Sequence, residues 1–138
     1  MTATTASTNI AKTGTDSFLR FALRLDAICT GLGGVALAAA AGPMSSLTGL
    51  SLAAEYGLAA FFIFYGVTVF GLSLLAELRS PGVWVIGANV LFTIAAVAVV
   101  LVGVWPLTTT GVVLTLASGV YTLVMADLQY MGLRRMKK

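Results

Sequence analysis

Four apolar stretches, each more than 20 residues long, occupy about 18–41, 52–78, 82–105 and 110–133 of this 138-residue chain. A helix of about 24 residues is roughly 36 Å long, enough to cross a hydrocarbon core of about 30 Å with some tilt. Valine-rich segments such as VAVVLVGV at 97–104 would suit a buried strand. Runs of this length nevertheless favour helices, because in lipid only helices or closed barrels satisfy every backbone polar group, and barrel strands are far shorter. With 59% hydrophobic residues, 9% charged residues and a mean hydropathy of +1.00, too little polar material remains to cover a soluble globule. The expected fold is therefore all-α: a four-transmembrane-helix bundle, up-down-up-down, built as two antiparallel helical hairpins.

The segments between the runs carry turn and cap signals. Residues 1–17 are rich in Thr, Ser and Ala without a hydrophobic period and are expected to be a disordered cytoplasmic tail, with Asp16 or Ser17 capping the first helix. Gly42-Pro43 should end that helix, and Ser51 or Thr48 should cap the second after an uncharged link, MSSLTGLS. Arg79-Ser80-Pro81-Gly82 is a tight turn, with Ser80 expected as N-cap and Pro81 at the first helical position. Helices two and three, joined so closely, are expected to pack as a hairpin. Trp105-Pro106 should end helix three and Thr108–Thr110 cap helix four, leaving 134–138 as a basic tail. The basic, then apolar, then alanine-rich start also imitates a cleavable leader, an alternative weakened by Asp26 inside the run.

Charge sets the expected orientation. Every Lys and Arg falls in the N-terminal segment, the turn after helix two or the C-terminal tail, which four crossings put on one side. By the positive-inside rule both termini are then cytoplasmic, in a multi-pass protein of the cell membrane. Trp84 and Trp105 lie near opposite boundaries, as interfacial anchors do. The net charge of +3 follows from topology and indicates no nucleic-acid partner. Histidine is absent and Cys29 is the single cysteine, so an internal disulfide, a histidine-ligated metal and Ser/His or Cys/His catalysis are excluded. A packing role is expected for Cys29, and no cofactor, metal or enzymatic activity is expected for the chain.

Polar groups inside the runs are the candidates for function, since each is costly in lipid. Counting about 1.5 Å per residue puts Asp26, about 9 Å beyond Arg20, at one depth with Asn89 and Asp127 towards the basic side, and Arg20, Arg24 and Gln129 complete the candidate cluster. The expected arrangement is a satisfied cluster in which Arg24 or Arg20 pairs with Asp127 and Asn89 bridges; a cation or proton site, or a headgroup pocket involving Arg134 and Arg135, is the functional counterpart. Glu55, one turn inside helix two at the uncharged side, is a second candidate, expected as an exposed rim residue. Gly111, Thr115 and Gly119 on helix four, and Gly57, Gly66 and Gly71 on helix two, are expected at close helix approaches, within the bundle or against a partner.

Leu-Arg-Leu-Asp ending at Asp26, VWVIGAN at 83–89 and DLQYMGLRR at 127–135 together resemble a group of small actinobacterial four-helix membrane proteins of unassigned function. The likeness covers about residues 18–135 and rests on Arg24, Asp26, Asn89, Asp127, Gln129, Tyr130, Gly132, Arg134 and Arg135. It implies the topology and brings no reaction, ligand or partner; Glu55 stands outside it. The leading expectation is a non-enzymatic accessory or scaffolding subunit whose partners are the bilayer and other membrane helices or itself. A small homo-oligomeric transporter or channel for a cation, proton or amphipathic solute is the alternative. An enzyme acting on lipid or quinone ranks third, since no acidic motif recurs at helical spacing.

Overall fold

The computed structural model describes residues 2–136, with side chains from Asp16 onward. Its elements are α1 (Thr2–Ala39), α2 (Ala41–Thr48), α3 (Leu52–Leu72), α4 (Arg79–Val102) and α5 (Thr109–Arg135), with no strand among the described residues. Four helical segments, Asp16–Ala39, Leu52–Leu72, Arg79–Val102 and Thr109–Arg135, are long and apolar enough to cross a membrane. The chain is thus an all-α, four-helix membrane protein. Large apolar side chains such as Leu32, Phe64, Trp84, Leu91 and Leu101 lie exposed on its outer faces, as lipid-facing residues would.

The helices alternate in direction. Leu19 at the start of the first span touches both Gly82 of α4 and Gly132 of α5, and Arg20 reaches the carbonyls of Ser73 and Leu75 just past α3, so these meet at one basic end. At the opposite end Thr48 accepts from the Thr108 backbone N–H at 2.9 Å and faces Gly111. The hairpins are α1 with α3 and α4 with α5, joined by α1 packing on α5. The spatial order is α3, α1, α5, α4. Contrary to expectation, α3 and α4 do not pack as a hairpin although only residues 73–78 separate them. Close approach at glycines explains the alternative pairing. A Cβ on Gly66 would lie 2.7 Å from the Ala27 carbonyl oxygen, and one on Gly34 2.8 Å from that of Ala59. α1 and α3 therefore meet backbone to backbone.

Several boundaries differ from the sequence reading. The helix of α1 continues back to Thr2 through the segment expected as a tail; once nucleated, a helix extends at one hydrogen bond per added residue. Asp16 consequently lies inside α1 rather than capping it, and bonds Arg20 one turn on. The uncharged link folds into α2, closed by Gly49 in the left-handed conformation, φ 87°, where a side chain would be strained. α3 stops at Leu72, six residues early, where Ser73 donates from its hydroxyl to the Phe70 carbonyl and Arg20 takes up backbone carbonyls beyond the helix end. α4 begins at Arg79 with Leu78 in the N-cap position, so Pro81 is the third residue, where a missing N–H still costs no helical bond. Gly103, φ 70°, ends α4 three residues before Pro106. Ser51 and Thr108 cap α3 and α5 through the Ala54 and Gly111 N–H groups.

Candidate functional site

Asp26 is fully buried where all four spans converge. Its Oδ1 accepts from the Thr30 hydroxyl at 3.0 Å and the Tyr121 hydroxyl at 3.2 Å. Its Oδ2 accepts from the Tyr65 hydroxyl at 2.9 Å, Asn89 Nδ2 at 2.8 Å and Gln129 Nε2 at 2.8 Å. Helical phase places these groups: Thr30 is one turn from Asp26 on α1, and Tyr65, Asn89 and Tyr121 with Gln129 project inward from α3, α4 and α5. Asn89 Nδ2 also donates to Gln129 Oε1 at 3.0 Å, which fixes both amides with their N–H groups towards the carboxylate. One turn deeper, the Thr93 hydroxyl reaches the Gly119 carbonyl at 2.9 Å and the Thr122 hydroxyl at 2.7 Å, tying α4 to α5.

The structure brings Asp26, Asn89 and Gln129 together and separates the other members of the expected cluster. Arg24, 200° around the helix from Asp26 at 100° per residue, donates to the Ser73 hydroxyl at 3.2 Å and lies over the Phe70 ring. Arg20 pairs with Asp16 at 3.1 Å. Asp127 is exposed, because the inward face of that turn is taken by Ala126 and Gln129. The expected pairing of Arg20 or Arg24 with Asp127 is therefore replaced by a carboxylate held by neutral donors alone, with no Lys or Arg at ion-pair distance among the described residues. Tyr65, Tyr121 and Thr30 were not singled out from the sequence. A tyrosine in the middle of an apolar run is itself a signal, since its hydroxyl needs a buried partner.

Because α3 and α4 stand apart, a cleft of about 310 Å³ opens between them, with Thr30, Tyr65, Asn89 and Tyr121 at its polar floor. Phe61, Phe62 and Phe92 form its walls, with Phe61 and Phe92 stacked at 9° and 6.5 Å between centroids. Cys29 is exposed at its edge. The floor is rich in acceptors: the Tyr65 proton goes to Asp26, those of Thr30 and Tyr121 go to Asp26 or each other, and no hydrogen bond among the described residues uses Asn89 Oδ1. The Asp26 carboxyl group lies directly behind this lining.

Glu55 is buried, 2% exposed, rather than at an exposed rim. The reason is α2, which folds over this end of the bundle and sets Thr48 to donate from its hydroxyl to Glu55 Oε1. Glu55 lines a second cavity of about 290 Å³ with Thr48, Leu58 and Trp105. Gly111 is pressed against the Thr48 carbonyl and a Cβ on Gly119 would lie 3.3 Å from the Ala96 methyl, so both glycines serve packing within the chain; the Thr115 hydroxyl bonds back to the Gly111 carbonyl. Of the α3 glycines only Gly66 makes a close approach, while Gly57 and Gly71 face open space. Arg134 and Arg135 are exposed at the basic end, over the Tyr130 and Phe18 rings.

The fold and site define a multi-pass helical membrane protein with a buried, donor-ringed carboxylate beneath a laterally open aromatic cleft. No protein-family model, curated protein or solved structure matches the chain.

Proposed function

We propose that this protein is a non-enzymatic membrane binding protein or small transporter for amphipathic organic cations, with the α3/α4 cleft as its site and Asp26 as the counter-charge. The observation that carries this reading is the spending of the floor's hydroxyl protons around a carboxylate without a paired cation, which leaves acceptor oxygens and aromatic faces for an occupant. Such a lining rejects anions and suits a quaternary or protonated amine carried on an apolar body, since ring faces and carbonyl oxygens both attract a desolvated cation. The concentration of basic residues at the Asp26 end supports a cytoplasmic placement of that end, and with it entry of the solute from the inner leaflet. This reading is preferred to an accessory subunit docking through small-residue faces, because Gly34, Gly66, Gly111 and Gly119 are occupied within the chain and, of the glycines expected at helix approaches, Gly57 and Gly71 alone face open space.

The test uses benzyltrimethylammonium and its neutral isostere neopentylbenzene on purified protein in detergent, with protection of Cys29 from a small maleimide as the readout. The cation protects Cys29 and the isostere does so at least about tenfold less effectively, a contrast that disappears in Asp26→Asn. Equal protection by both compounds, or a contrast that survives Asp26→Asn, would overturn the proposal.

A further inference from the structure

The two cavities share part of their lining. Phe62, Phe92 and Ser118 belong to both, with the Phe62 and Phe92 rings 5.9 Å apart between centroids. On α3 the order is Glu55, Phe62, Tyr65, and ten residues from Glu55 to Tyr65 span roughly 15 Å of helix rise. The chambers are thus stacked along one cleft, one floored by the partners of Asp26 and the other lined by Glu55, and an aromatic pair stands between them.

Glu55 has the features of a binding group rather than a structural one. Its single side-chain hydrogen bond among the described residues is from Thr48 to Oε1, leaving Oε2 without a donor beside a cavity that also presents the Trp105 ring. Its situation differs from that of Asp26, whose two oxygens are saturated by five donors. The partition is also slight: α3 and α4 are not in backbone contact at this level, and aromatic rings fill the gap. Rotation of a ring is a side-chain motion, far cheaper than moving packed helices.

We propose that Glu55 is a second station for the same organic cation, and that Phe62 and Phe92 form a gate between it and the Asp26 chamber. A cation held over the Asp26 floor passes the parted rings, is received by Glu55 Oε2, and leaves by the end that α2 covers. This inference rests on the Asp26 site reading and converts a binding protein into a transmembrane path.

The experiment pairs two readouts on full-length protein, equilibrium Cys29 protection by benzyltrimethylammonium and its uptake into proteoliposomes down a concentration gradient. Phe62→Ala and Phe92→Ala, made separately so that one misfolded variant does not decide the matter, are each expected to raise uptake about tenfold even though the loss of a wall ring weakens protection. Glu55→Gln keeps the acceptor for Thr48 and the fold, so it is expected to retain protection while abolishing uptake, both alone and combined with either alanine variant. Protection without any effect of the Phe variants on uptake, or undiminished uptake in the Glu55→Gln combinations, overturns the gate and second station and leaves the Asp26 site standing. Absence of protection in the unmodified protein overturns the site reading, and this inference with it.

Discussion

Replacing Asp26 by leucine and, separately, by asparagine tests whether the carboxylate organises the bundle by hydrogen bonding. Leucine removes the acceptor for five side-chain donors. Hydrogen bonds between membrane helices average about 0.6 kcal/mol, so the four that reach Asp26 from other helices come to about 2.4 kcal/mol. Some donors recover partners, because Thr30 and Tyr121 already contact each other and Asn89 already bonds Gln129. The Tyr65 hydroxyl donates to Asp26 alone, and a buried donor left unpaired costs about 1–3 kcal/mol. The expected loss for Asp26→Leu is therefore about 3–5 kcal/mol. Asparagine can keep its oxygen at the Oδ2 position, serving Tyr65, Asn89 and Gln129, and turn its amide towards Thr30 and Tyr121, whose hydroxyls rotate to accept. Its cost should be about 1 kcal/mol, within the range of a single altered hydrogen bond. Reversible unfolding in mixed micelles with increasing SDS, followed by tryptophan fluorescence, gives both values. If leucine is tolerated within about 0.5 kcal/mol, or if asparagine is as damaging as leucine, the hydrogen-bond account of the ring is wrong.

Gly66→Val should cost about 1–3 kcal/mol or prevent folding, because its Cβ would lie 2.7 Å from the Ala27 carbonyl oxygen, whereas Gly57→Ala should be neutral or stabilising by up to about 1 kcal/mol; the same SDS titration compares them. Thr108→Val removes the cap of α5, which also donates to the Leu47 carbonyl and so holds α2, and should lower stability by about 1 kcal/mol and speed hydrogen exchange at the start of α5. Arg20→Met frees the Ser73 and Leu75 carbonyls and breaks the contact with Asp16; exchange should rise around residues 70–76 while the Asp26 ring, and Cys29 protection by benzyltrimethylammonium, remain unchanged.

Fold class was legible because run length, not pattern, decides it: nothing but a membrane helix accommodates more than 20 apolar residues at a time. The caps at Ser51 and Thr108 were legible for the same local reason. Helix adjacency was not. A short connection between α3 and α4 suggested a hairpin, and the competing fact, that Gly34 and Gly66 bring α1 and α3 into backbone contact, depends on which helix faces which. Depth counting found Asp26, Asn89 and Gln129, but depth carries no azimuth, so Asp127 was grouped with them although it points outward. Glu55 was misjudged because its burial is made by α2, a helix of eight residues in a link that had no sequence period to announce it.

The lateral opening and the buried carboxylate have one cause. With α1 and α5 side by side at the centre, α3 and α4 become the two flanks of an open array, and no helix pairing closes the gap between them. What holds the flanks at a fixed separation is polar: Tyr65 from α3 and Asn89 from α4 both end on Asp26 Oδ2, and the phenylalanine rings meet across the gap above them. A hydrogen-bonded bridge is more readily rearranged than packed backbone, since one donor can leave while four remain. The same side chain therefore both ties the flanks of the cleft together and lies beneath its floor. Anything that draws Tyr65 or Asn89 away from Asp26, an occupant included, loosens the tie between α3 and α4, so occupancy of the site and spacing of the two flanks are coupled through a single side chain.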